Sequence, residues 1–438
     1  MNLIKTRLKP ILALLSLFCA LPAWSNTLDI TISGGTEAAS PIAVVPFGWA
    51  GSGPAPDYNL GQIIAADLER SGRFRTLDPL DLIAQPQQPE QVEFRDWRAL
   101  GMDHLVIGEV TGLGPEGYAV SMSLFDVYKS EQILSFQLNF GQRNQRAAAH
   151  HLADLIYEKL AGEPGAFNTR VAYVTSITTA EGQRIALQVA DSDGFNPQTI
   201  VASSEPLMSP AWSPDGRRIA YVSFEKGEPS IYVQELANGQ RRKVTSYPGI
   251  NGAPAWSPDG SKLAMTLSKD GNPDIFVYDM ATGALSKLTE HYAIDTEPAW
   301  SPDGSQLVFT SDRGGRQQIY RMSVSGGEPR RLTFQGQSNA RASFSPDGTL
   351  LVLETQIENG YGIGVQDLAS GSLRVLTRGG FDESPSFAPN GRMIIYATKA
   401  GSGSKGELAA VSVDGRVRQQ LKLQAGDVRE PAWSPRVK

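Results

Sequence analysis

The apolar residues of this chain follow two different rhythms. Between Pro41 and about Gly165, strand-like and helix-like patterns are mixed. Ile42-Ala43-Val44-Val45 is an unbroken apolar run of the buried-strand type. Leu60, Ile63, Ile64 and Leu68 recur at helical spacing, and Gly72 is placed to stop that helix. Three strands follow, over His104–Val110, Tyr118–Val127 and Ile133–Phe140. Leu152, Leu155, Ile156 and Leu160 then mark a second amphipathic helix that ends at Gly162. This pattern predicts a compact α/β domain with two main helices on one side of a small mixed sheet.

After Gly162-Glu163-Pro164-Gly165 the helical spacing disappears and short strands take over. The stretch Pro254-Ala255-Trp256-Ser257-Pro258-Asp259-Gly260 has identical copies at 210–216 and 298–304, weaker ones at 342–348 and 385–391, and a truncated one at 431–435. The aromatic positions 212, 256, 300, 344, 387 and 433 are separated by 44, 44, 44, 43 and 46 residues. A period in the low forties is that of a propeller blade of four strands. An apolar strand begins just after each motif glycine, at Ile219, Leu263, Leu307, Leu351 and Ile394. Val171-Ala172-Tyr173-Val174 matches Ile219-Ala220-Tyr221-Val222 but has no motif before it, and the copy at 431–435 has no strands after it. Joined, the two chain ends complete a sixth blade and leave no open edge in the ring. The expected fold is thus an α/β N-terminal domain plus an all-β, six-bladed β-propeller closed by the C-terminal strand.

The segments ahead of these domains change the picture of where the protein works. Lys5, Arg7 and Lys9 precede the apolar run Ile11–Leu21, and Ala23 and Ser25 supply small residues at the spacing of a signal-peptidase site. Residues 1–25 therefore read as a cleaved export signal, 26–38 as an N-terminal arm, 39–165 as the α/β domain and 166–438 as the propeller. Nothing later in the chain reaches the ~18 apolar residues that cross a bilayer, so the mature protein is expected to be soluble. Cys19, the only cysteine, lies inside the signal, which leaves no role for disulfides or thiol chemistry. Losing Lys5, Arg7 and Lys9 with the signal takes the net charge from −6 to −9, unsuited to nucleic acid or anionic lipid. In the arm, Leu28, Ile30 and Ile32 alternate with polar residues. That alternation fits either an edge strand of the next domain or a strand that pairs with another protein's sheet edge.

The repeated motif is expected to be scaffold: the aromatic packs between blades, and Pro-Asp-Gly makes the turn after the innermost strand. Signals of catalysis are missing, with no Gly-x-Ser-x-Gly elbow, phosphate-cradling glycine loop or His-Glu-x-x-His. Asp191-Ser192-Asp193-Gly194 begins like a calcium loop, lacks the downstream Glu and reads as a hairpin turn. His150 and His151 are neighbours on one helix and point apart. No enzymatic role, cofactor or metal is expected. The competing reading is a propeller hydrolase or lactonase with a metal in its channel, and a further one is a sensor of a small channel ligand. The repeats disagree most in the three residues before each motif: Leu207-Met208-Ser209, Asn251-Gly252-Ala253, Asp295-Thr296-Glu297, Asn339-Ala340-Arg341, Asp382-Glu383-Ser384 and Val428-Arg429-Glu430. These loops are expected to encircle a polar, acidic funnel that serves as a binding surface.

The order of an export signal, an α/β domain opening Pro41-Ile42-Ala43-Val44-Val45-Pro46-Phe47, and Pro-Ala-Trp-Ser-Pro-Asp-Gly blades closed by Pro431-Ala432-Trp433-Ser434-Pro435 resembles the TolB family over essentially the whole chain. Ala65-Ala66-Asp67-Leu68 and Asn251-Gly252-Ala253-Pro254 match it as well. The repeat alone is shared with other propellers, including those of prolyl-oligopeptidase-like enzymes. The resemblance implies a non-enzymatic periplasmic component of the Tol–Pal system of Gram-negative bacteria, serving outer-membrane integrity, constriction during division and, in some members, bacteriocin import. It implies two partners, the lipoprotein Pal at the propeller mouth and TolA at the N-terminal arm, besides other outer-membrane proteins and bacteriocins. The Pal-facing positions carried over are Ala253 and Thr296, with Asn251, Gly252 and Glu297 beside them. Ser209, Arg341, Glu383 and Glu430 complete the expected mouth, and Leu28, Ile30 and Ile32 the expected TolA strand.

Overall fold

A computed structural model describes residues 30–33, 39–401, 403–421 and 426–436. The export signal and Leu28 lie outside the described residues.

In the α/β domain the strands Phe74–Thr76, Ser40–Val44, His104–Gly112, Tyr118–Asp126 and Glu131–Phe140 lie side by side in that order. The first three run parallel and the last two antiparallel, so the sheet is mixed. Helix α1 (Leu60–Arg70) starts where the Asn59 side chain accepts the Gly61 N–H at 3.0 Å. It ends before Gly72 at φ +68°, a conformation that favours glycine. A short helix α2 covers Phe94–Ala99, and α3 spans Gln145–Ala161 with Gly162 left-handed at its end. Helices α1 and α3 share one core with one face of the sheet, through Leu60, Ile64, Leu68, Leu152 and Ile156. The opposite face is not open to water, which corrects the expectation of helices on one side only. Trp97 of α2, with Val92 and Met102, packs there on Ala43, Val45, Leu105 and Ile107. Six residues of helix are too few for a periodicity to be read, so the sequence concealed this layer.

The propeller comprises six four-stranded sheets arranged as expected. The innermost strands are Leu207–Trp212, Asn251–Trp256, Asp295–Trp300, Asn339–Phe344, Glu383–Phe387 and Asp427–Trp433. The last of these pairs antiparallel with Arg170–Thr179, matching Trp433 to Val171 and Ala432 to Ala172, so the two ends of the propeller sequence close the ring. Each motif builds its blade as its residue types require. Ser257 Oγ donates to Asp259 Oδ1 at 2.5 Å and accepts from Lys262 N, while Gly260 takes φ +70°. The Trp256 indole donates to Ala211 O of the preceding blade at 3.2 Å, and Trp300 to Ala255 O at 3.0 Å. The motif aspartates are thus spent on turns.

The arm strand Ile30–Ser33 does add to a sheet edge, and the sheet belongs to this chain. It pairs antiparallel with Arg418–Leu421, the outermost strand of the fifth blade, with Ile30 opposite Leu421 and Ser33 opposite Arg418. It is therefore an edge strand of the propeller, not of the α/β domain that follows it.

The α/β domain docks on the ends of the fifth and sixth blades where the motif turns lie. Asn390 Nδ2 donates to Pro164 O at 3.3 Å, Arg392 pairs with Glu163, and the turn 191–194 meets α3 through Arg146. The loops that precede the motifs are at the other end of the same strands and stay clear.

Candidate functional site: the loop end of the propeller

The three-residue windows before the motifs divide their labour by position. The first residue is buried in each of the four complete blades that follow the first. Asn251 is 1% exposed, and its amide donates to Tyr247 O at 2.6 Å and accepts from Tyr247 N at 3.0 Å. Asp295 accepts two bonds from Arg313 at 3.0 and 2.7 Å. Asn339 donates to Gln335 O and Gln318 Oε1, and Asp382 accepts from Gly379 N and Thr398 Oγ1. These side chains lock the loops. Asn251, expected at the partner surface, is spent on that lock and presents no side chain to the outside.

The third residue bulges into the channel. Ser209, Ala253, Glu297, Arg341, Ser384 and Glu430 all have φ between 47° and 56°, and the pairing of every innermost strand slips at that point. Together with the adjoining prolines they line a cavity of about 260 Å³. Arg341 is its organiser. Its Nε donates to Glu297 Oε1 at 2.7 Å, its N to Glu297 Oε2 at 3.1 Å and its Nη1 to Ser384 Oγ at 2.6 Å. Glu354, behind the ring, accepts from Ser384 N at 2.7 Å, and Glu430 accepts from Ser209 N. Burial pushes the Glu354 carboxyl up to about 7, with Glu297 and Glu383 adding to the rise and Arg341 opposing it. Burial raises Glu430 too. For Arg341 burial acts against the charge, and the carboxylates of Glu354, Glu297 and Glu430 outweigh it, so its pKa is raised. The expected acidic funnel is present, centred on a single cation.

The second residues sit at the rim, except Ala340, which is buried. Gly252, Thr296 and Glu383 are half-buried, Met208 is partly exposed, and Arg429 is exposed. Above them rises a feature that the repeat comparison missed. Tyr292 is 85% exposed and Phe334 74%, and Tyr247, Ile250, Ile294 and Phe381 also stand out from the loops that link the blades. These six side chains belong to four consecutive loops and form an apolar arc on one side of the mouth. Ile250, Ile294 and Phe381 share one place, just ahead of the three-residue window, whereas Tyr247, Tyr292 and Phe334 sit at different distances from their motifs and are not revealed by aligning the repeats. Large apolar side chains clustered in water mark an interaction surface.

The remaining expected features fall elsewhere. His150 is buried at the domain boundary, His151 lies edge-on to Phe136, and His291 Nδ1 accepts Ala293 N inside a mouth loop. The turn at 191–194 is closed by Gly194 N donating to Asp191 O at 2.7 Å. Among the described residues, no helix is long and apolar enough to cross a membrane.

Comparison with known proteins places this arrangement. Residues 157–437 match the model of the TolB beta propeller domain and residues 28–133 that of the TolB amino-terminal domain. The chain is 64% identical over 408 residues to the Tol-Pal system protein TolB of Methylococcus capsulatus, covering 93% of this chain and 94% of the relative. It is 62% identical over 425 residues to that of Nitrosococcus oceani, covering 97% of both. The crystal structure of TolB from Acinetobacter baumannii superposes with a TM-score of 0.86 at 41% identity, covering 94% of this chain and all of that one.

Proposed function

The chain belongs to the TolB family, and from that premise we propose that it is a non-enzymatic periplasmic adaptor of the Tol–Pal system. In this reading its loop end receives the lipoprotein Pal and its N-terminal arm engages TolA. It thereby supports outer-membrane integrity and invagination during division, a role joined in some members of the family by bacteriocin import. The observation that carries the reading is the apolar arc of Tyr247, Ile250, Tyr292, Ile294, Phe334 and Phe381 beside the polar ring. Aromatic anchors bordered by polar residues are the composition of binding hot spots. The rigid loops, each locked by its buried Asn or Asp, present these anchors with little ordering cost on binding. Thr296, Gly252, Ala253 and Glu383 supply the polar rim, while Glu297, Arg341, Glu430 and Ser209 shape the channel entrance, and Asn251 acts only by holding its loop. On the arm, Ile30 and Ile32 belong to the strand offered to TolA, with Leu28 before it.

The test is a titration of purified Pal against the mature protein and its rim variants. Thr296→Arg and Tyr292→Ala are each expected to weaken binding by about tenfold or more, the range of a removed hot-spot contact. Tyr292 is exposed and Thr296 is half-buried at the rim, so the thermal midpoint should hold in Tyr292→Ala and is measured beside the affinity for Thr296→Arg. Unchanged affinity in both variants sinks the mouth as the Pal site.

A further inference from the structure

The boundary between the two domains contains a cluster of buried and half-buried charged side chains that neither proposed partner site uses. Asp67 and Arg70 come from α1, Arg146 and His150 from α3, and Asp191 and Asp193 from the turn between the third and fourth strands of the sixth blade. His150 and Asp67 are 2% and 1% exposed. Asp191, Asp193 and His150 have the spacing of a metal site. The Arg146 guanidinium already occupies that space. Its Nε lies 3.2 Å from Asp191 Oδ2, its Nη2 pairs with Asp193, and its plane covers the Phe195 ring at 4.0 Å.

His150 stands between the two domains. Its Nδ1 is 2.5 Å from Asp67 Oδ2, which also has Arg70 at its other oxygen at 2.8 Å. Its Nε2 faces Asp193 Oδ2 of the propeller at 4.0 Å and Arg146 Nη2 at 3.4 Å. Three carboxylates and two guanidinium groups surround it, and the buried Asp154 carboxylate further along α3 adds its field to that of Asp67. With a neutral imidazole the cluster of six has net charge −1. With a protonated one it is balanced, and the charge gained at Nε2 lies 4.0 Å from the propeller's Asp193 carboxylate, beside Arg146 at 3.4 Å.

We propose that His150 is a proton-operated latch: protonated, it bridges Asp67 of the α/β domain and Asp193 of the propeller and tightens their docking; neutral, it contacts only its own domain and the docking loosens. Burial alone would lower the pKa of His150, and the attraction and hydrogen bond of Asp67, with Asp193 behind them, overcome that and raise it above the ordinary 6.5. The part of that rise that Asp193 supplies exists only when the domains are docked, and by that part the docked state holds the proton more tightly. The docking energy that Asp193 adds is then present while His150 is protonated and is lost as pH rises through its raised value. An exported protein meets the pH of the medium more directly than a cytosolic one, so the latch would change how firmly the two domains hold each other as the medium changes.

The experiment uses the full mature chain. Imidazole resonances of His150, followed by NMR from pH 5 to 9, should titrate above 6.5. The amides of Phe167 and Asn168, which donate to Asp154 of α3 at 2.8 and 3.1 Å, report docking through their hydrogen-exchange protection. Protection corrected for intrinsic rates should fall as pH rises from 6 to 8.5, by about tenfold for each pH unit by which docking raises the His150 titration. His150→Asn keeps a donor toward Asp67 and takes up no proton, so its protection should not change across that range. A His150 pKa at or below 6.5 overturns the latch without any variant being needed, and so does a His150→Asn protein with the same pH slope as the parent.

Discussion

At the scale of single residues, the mouth carries six non-glycine residues in the left-handed region, one per blade. Each such residue costs about 1 kcal/mol of backbone strain, so six in register need a shared cause. The cause is geometric: the innermost strands converge on the axis, and a bulge at each lets the chain enter the channel and still regain its ladder two residues later. The bulge turns the third residue of every window inward, which is how Glu297, Arg341 and Glu430 come within reach of one another. Burying several carboxylates around one arginine has a cost that shows at Glu354. Its pKa of about 7 lies above the ordinary 4.5, so the folded state prefers it protonated. Stability is then highest below pH 4.5 on this account and declines as pH rises toward 7. Glu354→Gln should leave the melting temperature at pH 5 nearly unchanged and raise it at pH 8, recovering up to about 3 kcal/mol. Calorimetry at the two pH values checks this, and a variant less stable than the parent at pH 8 would show that Arg341 needs the charge.

At the scale of elements, legibility followed length and repetition. The helices Leu60–Arg70 and Gln145–Ala161 and the blade strands were readable because an apolar period persisted over ten residues or recurred six times. The helix Phe94–Ala99 was not readable, for it contributes one buried side chain, Trp97. The candidate site was half legible. Comparing repeats located the channel ring, where the copies diverge at fixed positions, and failed for Tyr292 and Phe334, whose exposure is a property of loop geometry. It also took Asn251 for a surface residue, since a polar residue in a loop gives no sign of being folded inward. The arm strand is short. Four residues, Ile30–Ser33, pair with the outer edge of a blade that already has four strands. Short outer strands of this kind exchange readily with a partner's edge. Deleting residues 26–33 should abolish TolA binding, leave Pal binding intact or stronger, and change the melting temperature by no more than a few degrees, about 1 kcal/mol in a chain of this size. Retained TolA binding would falsify the arm's role.

At the scale of the whole molecule, two edge strands with opposite prospects test how the ring is held. The arm lies on the outside of the fifth blade, whereas Asp427–Trp433 is the innermost strand of the sixth. The inner strand contributes Val428 to the core shared with the fifth blade, and its Ala432 O accepts the Trp212 indole of the first blade at 2.9 Å. The Ser434 hydroxyl accepts Arg170 N at 2.9 Å, tying the closing strand to the start of the propeller. Removing it opens two inter-blade interfaces at once and exposes the Arg170–Thr179 edge to other chains. A protein ending at residue 426 should therefore lose at least about 5 kcal/mol, the sum of a few buried apolar side chains and an unpaired edge. It should melt more than 10 °C lower and elute as aggregates. The mouth would be lost with it, since Glu430 and its bond to Ser209 N belong to the closing strand. Size-exclusion chromatography beside a thermal melt decides the matter. A truncated chain that stays monomeric, with the parent's melting temperature, would mean that five blades hold their own circle and that closure at 427–433 is dispensable.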